Sequence, residues 1–132
     1  MRVVADSHTI LWYAKGSPQL SQTADDALNG AENNGGIVVS VATLIDLWYV
    51  TVTTHAVATN ELHDLRTTMM ASHATHLHPI DIDVADAYTA IDRSQMKDPW
   101  DRFIVATAKA LHLPLVTRDT AIHRSGLIET IW

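Results

Sequence analysis

The chain has 132 residues, of which 47% are hydrophobic and 18% are charged, enough for one compact domain with a buried core. It contains no cysteine, which excludes disulfide scaffolds, thiolate zinc sites and cysteine nucleophiles, and which suits a reducing cytoplasm. The formal net charge is −6, so a polyanionic ligand such as nucleic acid requires a divalent cation, a basic patch or a basic partner to offset the acids.

The sequence carries no pattern of a membrane or exported protein. No apolar run approaches the length of a membrane span, and the N-terminus lacks a signal peptide, so we expect a cytoplasmic protein without membrane contact. No repeat or linker interrupts the chain, and residues 1–132 are predicted to form a single domain. The glycine motifs of dinucleotide-binding folds and P-loops are absent, and Ser7 lacks the base that a serine hydrolase needs.

The first half of the chain predicts alternating strands and helices. Residues 2–11 are predicted to form a first strand, "RVVAD", and a turn. Ser21 is a plausible N-cap for the helix in "SQTADDALNGAENNGG", and "GIVVS" is a second buried strand. The segment "TLIDLWYVTVTTH" is ambiguous, because its length favours a helix while "YVTVTT" alternates like a strand. We predict a helix there, because the chain otherwise alternates strand with helix.

The second half continues the alternation. "NELHDLRTTMMASH" is predicted to be helical, "THLHPID" a strand or connector, and "DVADAYTAIDRS" a helix opened by Asp83. A long helix follows from Asp98 to Leu111, then the strand "LPLVT", the short helix "RDTAIHRSG" and the last strand "IETIW". Strands that are apolar on both faces and alternate with helices predict a parallel sheet covered by helices on each side.

Two acids begin the long helix. Asp98 suits the N-cap and Pro99 the first helical position, so capping explains both residues. Asp101 lies in line with the apolar stripe that Ile104 and Ala108 continue, although an acid in the first turn also favours the helix dipole. On another side of this helix, Arg102 and Lys109 are expected to face solvent.

Further acids follow predicted strands or lie within apolar surroundings. Asp6 and Asp119 come at the carboxyl ends of strands, the edge at which open parallel sheets bind ligands. Asp46, flanked by Ile45 and Leu47, must reach a cavity, a donor or a cation, because a buried unpaired carboxylate is costly. Carboxylates that converge repel one another unless a cation lies among them, and hard oxygen ligands indicate Mg²⁺ or Mn²⁺.

These residues resemble a PIN-domain ribonuclease of the VapC toxin type, from type II toxin–antitoxin systems, over essentially the whole chain. The matching segments are "VVADSHTILW", "VSVATLIDLW", "KDPWDRFIVATAKALHLPLVTRD" and "IETIW". The third is the most specific, because a DPxDR motif, an IxATA-like helix and a TxD strand end occur together. The resemblance implies a three-layer α/β/α sandwich with a central, mainly parallel sheet of four to five strands.

The resemblance also implies a set of site residues. The catalytic and metal-binding acids, which hold Mg²⁺ with Mn²⁺ as a substitute, are Asp6, Asp46, Asp101 and Asp119. Asp98 is an accessory acid of the DPxDR subgroup, and Thr117 matches a hydroxyl that helps order the site. Cations near the acids in sequence are candidates for phosphate contacts, with ordinary surface charge as the alternative: Arg93, Lys97, Arg102 and Arg118.

The implied function is a toxin endoribonuclease that hydrolyses RNA phosphodiesters with metal assistance and leaves a 5′ phosphate. A cognate antitoxin is expected to lay a helix in an apolar groove and to place an Arg or Lys in the acidic site. The chain is also expected to form a homodimer, to whose face Trp48 contributes.

One residue departs from the family pattern. The family usually has Glu where this chain has Asp46, whose carboxylate reaches about 1.5 Å less far. Because Mg²⁺ demands near-ideal geometry and often keeps its waters, Asp46 is expected to act through a water or in a weaker site. The alternative function is therefore a PIN-like module that binds RNA or protein without cleaving.

Other interpretations have less support. A phosphoacceptor receiver domain also clusters acids at a sheet edge, but here Ser7 follows Asp6 and Arg118 replaces the expected Lys. The close histidines His73, His76 and His78 are explained by a loop as well as by a zinc site. His8 lies near the site in sequence, and three tryptophans are expected to pack rather than stack on bases: Trp12, Trp48 and Trp100.

Overall fold

The computed structural model describes every residue from Met1 to Trp132, and it contains five strands and seven helices. The strands are β1 (Val3–Ala5), β2 (Ile37–Ser40), β3 (Thr75–His78), β4 (Leu115–Val116) and β5 (Thr130–Ile131). The helices are α1 (Ser7–Lys15), α2 (Gln22–Asn33), α3 (Ala42–Thr53), α4 (Thr59–Ala71), α5 (Ile82–Ala90), α6 (Pro99–Leu111) and α7 (Thr120–Ser125).

The strands form one sheet in the order β3-β2-β1-β4-β5, and every neighbouring pair is parallel. The chain therefore builds outward from β1 to β3 on one side, and then returns to the other side of β1 at β4. The gap between the carboxyl ends of β1 and β4 is a topological switch point, where open α/β sheets bind their ligands.

Two apolar cores lie on opposite faces of the sheet. Val3 and Ala5 of β1 join the first core, with Leu28 of α2 and Leu47 of α3. The intervening residue Val4 belongs to the second core, which α5, α6 and α7 complete. This alternation is the period-two pattern of a strand that is buried on both faces. The predicted three-layer sandwich is confirmed, and its five-stranded sheet is parallel throughout.

The ambiguous segment after β2 is helical, as predicted. Its β-branched end is accommodated because threonine hydroxyls donate to carbonyls one turn earlier in the chain. Thr51 Oγ1 donates to the Leu47 carbonyl at 3.0 Å, and Thr54 Oγ1 donates to the Val50 carbonyl at 2.8 Å. These hydroxyls thus find hydrogen-bond acceptors on the backbone of α3 and its C-cap, so the threonines are compatible with the helix.

Two helix starts differ from the prediction. A nine-residue helix, α1, begins at Ser7, where a turn was predicted, because the extended Asp6 accepts the Ser7 N–H at 2.7 Å and caps it. Helix α5 begins at Ile82 and not at Asp83. Its N-cap is Asp81, whose Oδ1 accepts the Val84 N–H at 2.9 Å, so Asp83 lies within the first turn.

Candidate active site

Five carboxylates line a cavity of about 570 Å³ at the switch point: Asp6, Asp46, Asp98, Asp101 and Asp119. They come from four places in the chain, namely the end of β1, helix α3, the start of α6 and the turn after β4. The structure thus brings together all the acids that the sequence indicated. Their roles in binding or catalysis remain proposals.

Three of these acids are helix N-caps, which fixes their orientation. Asp6 caps α1, Asp98 caps α6 and Asp119 caps α7. Oδ1 of Asp98 accepts the N–H groups of Trp100 and Asp101 at 2.9 and 3.2 Å. The positive ends of the α1 and α6 dipoles therefore lie close to the acids and offset part of their negative charge.

Thr117, which is fully buried, connects the two strand-end acids. Its hydroxyl donates to Oδ2 of Asp6 at 2.6 Å and accepts the backbone N–H of Asp119 at 3.1 Å. A threonine hydroxyl can donate and accept at once, so it holds the two chain segments in a fixed relation. His123 extends this contact, because its Nε2 lies 2.7 Å from the Thr117 carbonyl oxygen.

Asp101 and Asp46 approach the cavity from two helices that pack together. Asp101 is half-buried in the first turn of α6, and Asp46 is half-buried on α3. The helices meet through Tyr49 and Trp100, whose ring centroids are 5.6 Å apart. Ile104 is fully buried, which confirms that Asp101 lies in line with the apolar stripe of α6.

The crowding of these acids shifts their protonation. Burial, followed by the charges of the four neighbouring carboxylates, raises the pKa of Asp101 to about 7. Burial also raises the pKa of Asp6, against hydrogen bonds from Thr117 and Ser7 that lower it. Asp101 is therefore partly protonated near neutral pH, and a cation bound beside it would favour its ionised form.

The chemistry of the donors fits a hard divalent cation. Five carboxylates outnumber the one imidazole of the cavity, that of His8, and carboxylate oxygens are the ligands that Mg²⁺ and Mn²⁺ prefer. The acids nevertheless surround the cavity without converging, and no three histidine or acidic side chains are arranged to hold a metal ion in their present positions. Ligation thus requires side-chain movement or intervening waters, as expected of Mg²⁺, which keeps several of its waters.

The four candidate phosphate-binding cations separate into three groups. Arg118 lines the acidic cavity, whereas Arg93 and Lys97 line a neighbouring depression. The expectation for Arg102 was wrong, because its side chain is buried at 7% exposure and not solvated. Its guanidinium donates to four backbone carbonyls, which leaves it unavailable to a phosphate: Tyr88, Ile91, Asp92 and Met96.

Four further residues line the cavity: His8, Thr9, Trp12 and Thr120. The sequence indicated His8 only by its nearness to Asp6, and it indicated Trp12 as a packing residue. Once α1 is recognised as a helix, His8 and Trp12 are four residues apart and share a face, and their ring centroids are 5.6 Å apart. Because the start of α1 was not predicted, the sequence did not indicate that Trp12 lines the cavity.

The fold and the cavity place the chain among α/β/α sandwich proteins with an acidic site at the carboxyl edge of a parallel sheet. Its sequence matches the PIN domain over residues 3–126, and the chain belongs to this family, whose members are generally nucleases that use divalent metal ions. No curated protein matches the sequence significantly. None of the seven helices combines the length and the apolar character that crossing a membrane requires.

Several solved structures share the fold. A chain of VapBC2 from Rickettsia felis, bound to a promoter DNA fragment, matches with a TM-score of 0.71 and 13% identity over 98% of this chain and 97% of the other. FitAcB from Neisseria gonorrhoeae matches with a TM-score of 0.65 and 22% identity over 98% and 96%. The toxin–antitoxin complex VapBC-5 from Mycobacterium tuberculosis matches with a TM-score of 0.62 and 19% identity over 98% and 96%.

The strand order also separates the chain from a receiver domain. In the flavodoxin-like order the first strand lies between the second and the third. Here β1 lies between β2 and β4 instead. The receiver interpretation is therefore set aside.

Proposed function

We propose that the chain is the toxin endoribonuclease of a type II toxin–antitoxin pair, which cleaves RNA phosphodiesters with Mg²⁺ or Mn²⁺. Asp6, Asp46, Asp101 and Asp119 are the proposed catalytic and metal-binding residues, and Asp98 and Thr117 support them. The observation that carries the proposal is the group of five carboxylates around one cavity at the switch point of a PIN fold. Membership of the family and likeness to chains of VapBC and FitAB complexes support the same assignment.

Each acid has a task that its surroundings suit. The chemistry that a divalent cation supplies in such a site is polarisation of the phosphate and acidification of water. Asp6 offers an oriented carboxylate, because Thr117 and the Ser7 N–H restrain both of its oxygens. Asp101, whose pKa is raised to about 7 in the metal-free site, is the proposed group that takes a proton from the attacking water at its carboxylate. In-line departure of the ribose oxygen then leaves a 5′ phosphate.

Cations near the cavity are the proposed phosphate contacts. Arg118 lies within the cavity, and Arg93 and Lys97 are exposed in the depression beside it. A strand of RNA that crosses both features meets the positive charges of Arg118, Arg93 and Lys97. This arrangement lets an acidic protein bind a polyanion locally.

The proposed antitoxin occupies a second surface as well as the acids. A depression of about 300 Å³ between α3 and α4 is lined in part by Leu44, Trp48 and Leu62. An antitoxin helix with apolar residues on one face fits such a groove, and an Arg or Lys beyond it neutralises the carboxylates. The proposed homodimer uses the exposed outer stripe of α3, which consists of Ile45, Trp48, Tyr49 and Val52.

The test is cleavage of single-stranded and structured RNAs by the purified chain with Mg²⁺, with Mn²⁺ or with EDTA. We expect metal-dependent cleavage that Asp101→Asn reduces by about 100-fold or more, the size of a lost acid–base contribution. Asp64→Asn is the matched control, because Asp64 is exposed on α4 and lies outside the cavity. Cleavage in EDTA, or cleavage that Asp101→Asn leaves intact, contradicts the proposal.

Asp46 motivates the second candidate function, a module that binds RNA or protein without cleaving. In the same assay, Asp46→Glu restores the longer carboxylate of the family, and we expect it to raise the rate at limiting Mg²⁺. RNA binding without cleavage under every metal, in both the wild type and Asp46→Glu, supports the binding module. If RNA is cleaved by Asp46→Glu but not by the wild type, the shorter carboxylate of Asp46 limits the cleavage rate.

A further inference from the structure

Trp12 is an unusual member of the acidic cavity. It is the one hydrophobic residue of the ten that line it, beside five carboxylates. Its ring is half-buried and packs edge to face with Trp132, with ring centroids 6.1 Å apart, so one side is held against the fold. The remainder faces the cavity, in company with the His8 ring.

Arg118 completes this side of the cavity. Its Cζ lies 5.8 Å from the centroid of the Trp12 ring, within the range of a cation–π contact. The side chain is exposed and forms no ion pair, although carboxylates line the same cavity. The two ion pairs of the chain lie elsewhere, between Lys15 and Glu61 and between His78 and Asp81. The guanidinium of Arg118 therefore contacts the Trp12 ring but pairs with no carboxylate, which leaves its N–H donors for a phosphate.

Neither residue serves the cation that the acids are suited to hold. An indole has no oxygen ligand for Mg²⁺, and a guanidinium repels it. Packing explains only the part of Trp12 that touches Trp132. A planar aromatic face next to an unpaired guanidinium is the combination that proteins use to stack a nucleobase and hold its phosphate.

We propose that Trp12 and Arg118 form a nucleotide subsite of the acidic cavity, in which Trp12 stacks on a base that flanks the scissile phosphate and Arg118 contacts the adjoining phosphate. This inference rests on the proposed ribonuclease function. Stacking needs a base that is free of its duplex neighbours, so the substrate class is single-stranded RNA or an unpaired loop. Stacking on indole tolerates every base, so the subsite positions the chain without reading its sequence.

The central experiment pairs protein variants with a modified substrate. A short single-stranded RNA with one cut site is compared with versions that lack the base on either side of that site. We expect Trp12→Ala to raise KM on intact RNA on the order of tenfold, the scale of one lost stacking contact, with a smaller change in kcat. Trp12→Phe, which keeps an aromatic face, should retain most of the affinity.

The decisive result is whether Trp12→Ala and removal of the flanking base act on KM independently. Removal of the stacked base should raise KM for the wild type by a similar factor and should change KM for Trp12→Ala little further. If the two losses are instead independent and multiply for both flanking positions, Trp12 acts only through packing and the subsite is refuted. Arg118→Ala should reduce the salt dependence of RNA binding, and Arg124→Ala, which alters an exposed arginine of α7 outside the cavity, should not.

A binding measurement separates this inference from the proposed function. Fluorescence anisotropy of the labelled RNA with Asp101→Asn protein, alone and combined with Trp12→Ala, requires no cleavage. Binding weakened by Trp12→Ala, in a protein whose wild type never cuts RNA, sustains the subsite and removes the ribonuclease assignment. If the wild type cleaves RNA, but Asp101→Asn binds RNA with equal affinity with and without Trp12→Ala, the ribonuclease assignment stands and the subsite is refuted.

Discussion

At the scale of single residues, Asp101 links the charge of the site to the stability of the fold. Its pKa is raised to about 7, mainly by burial, so between about pH 4 and pH 7 the folded chain holds a proton that the unfolded chain has released. The free energy of unfolding that this group contributes is therefore complete at low pH and is lost as pH rises through about 7. Asn, a neutral group of the same shape, has no such dependence.

We predict that Asp101→Asn stabilises the metal-free protein at about pH 8 and changes it little at about pH 4. The gain at high pH should be about 1–2 kcal/mol, less than the shift alone implies because solvent screens a half-exposed carboxylate. Urea unfolding in EDTA at several pH values measures the difference. Asp64→Asn, at an exposed position of α4, is the control for loss of one negative charge.

Saturating Mn²⁺ should make the wild type more stable than Asp101→Asn at about pH 8. Only the wild type offers the ionised carboxylate that a cation requires. Equal stabilisation of both proteins by Mn²⁺ would show that Asp101 does not participate in metal binding. If the free energies of unfolding of the wild type and Asp101→Asn differ by the same amount at every pH, the raised pKa of Asp101 is contradicted.

Residue-level chemistry was predictable where local pattern determines it. Asp98 as an N-cap follows from the preference for Asp before Pro at a helix start, and Asp101 in line with Ile104 follows from the helix period; the structure agrees with both. Arg102 was misjudged, because its burial depends on carbonyls from the end of α5 and the following turn. Those groups reach it only through tertiary folding, which the helix pattern does not contain.

At the scale of elements, Arg102 joins α6 to the segment that carries the chain from α5 to Asp98. Its Nη1 donates to the Met96 carbonyl at 2.9 Å and its Nη2 donates to the Ile91 carbonyl at 2.8 Å. Its Cζ also lies 4.7 Å from the Tyr88 ring centroid. The residue after Asp101 thus anchors the turn that leads to Asp98, which gives the Arg of the DPxDR motif a structural purpose.

We predict that Arg102→Met lowers the free energy of unfolding by about 2–4 kcal/mol, because buried carbonyls lose their donors while the apolar stem remains. Arg93→Met is the matched control, an exposed arginine of the same turn, and should change stability by no more than about 0.5 kcal/mol. Urea unfolding measures both. Hydrogen exchange of the amides in residues 91–98 should accelerate in Arg102→Met, and an unchanged rate there would contradict the anchoring role.

Element type was more predictable than element length. The apolar runs "LPLVT" and "IETIW" indicated strands, but β4 and β5 each contain only two residues. Their extent depends on how far each strand meets its neighbour, and that pairing is not encoded in either run alone. The start of α1 was missed for a different reason, since Asp6 both ends a strand region and caps a helix.

At the scale of the whole molecule, the alternation of strands and helices was sufficient to predict a parallel sandwich with acids at one edge. The strand order was not predictable, because two helices, α3 and α4, separate β2 from β3 and leave several crossovers open. That order decides that β1 and β4 are neighbours, and hence that Asp6 and Asp119 share Thr117.

The exposed stripe of α3 is the remaining feature at this scale. Val52 and Trp48 are 46% and 50% exposed on a helix whose opposite face is buried, an arrangement typical of an association surface. Two copies of this chain each carry a net charge of −6 and repel one another, whereas a basic antitoxin is attracted. Salt should therefore act in opposite directions on the dimer and on the antitoxin complex.

We predict a dimer whose association strengthens as salt increases from about 50 to about 500 mM, because screening removes the repulsion while apolar contact persists. Sedimentation velocity of Val52→Glu should show a monomer, whereas Met70→Glu, at a 64% exposed residue of α4, should remain dimeric. A wild type that is monomeric at all salt concentrations would contradict the proposed dimer. Binding of a basic antitoxin should weaken over the same salt range, because that attraction is screened.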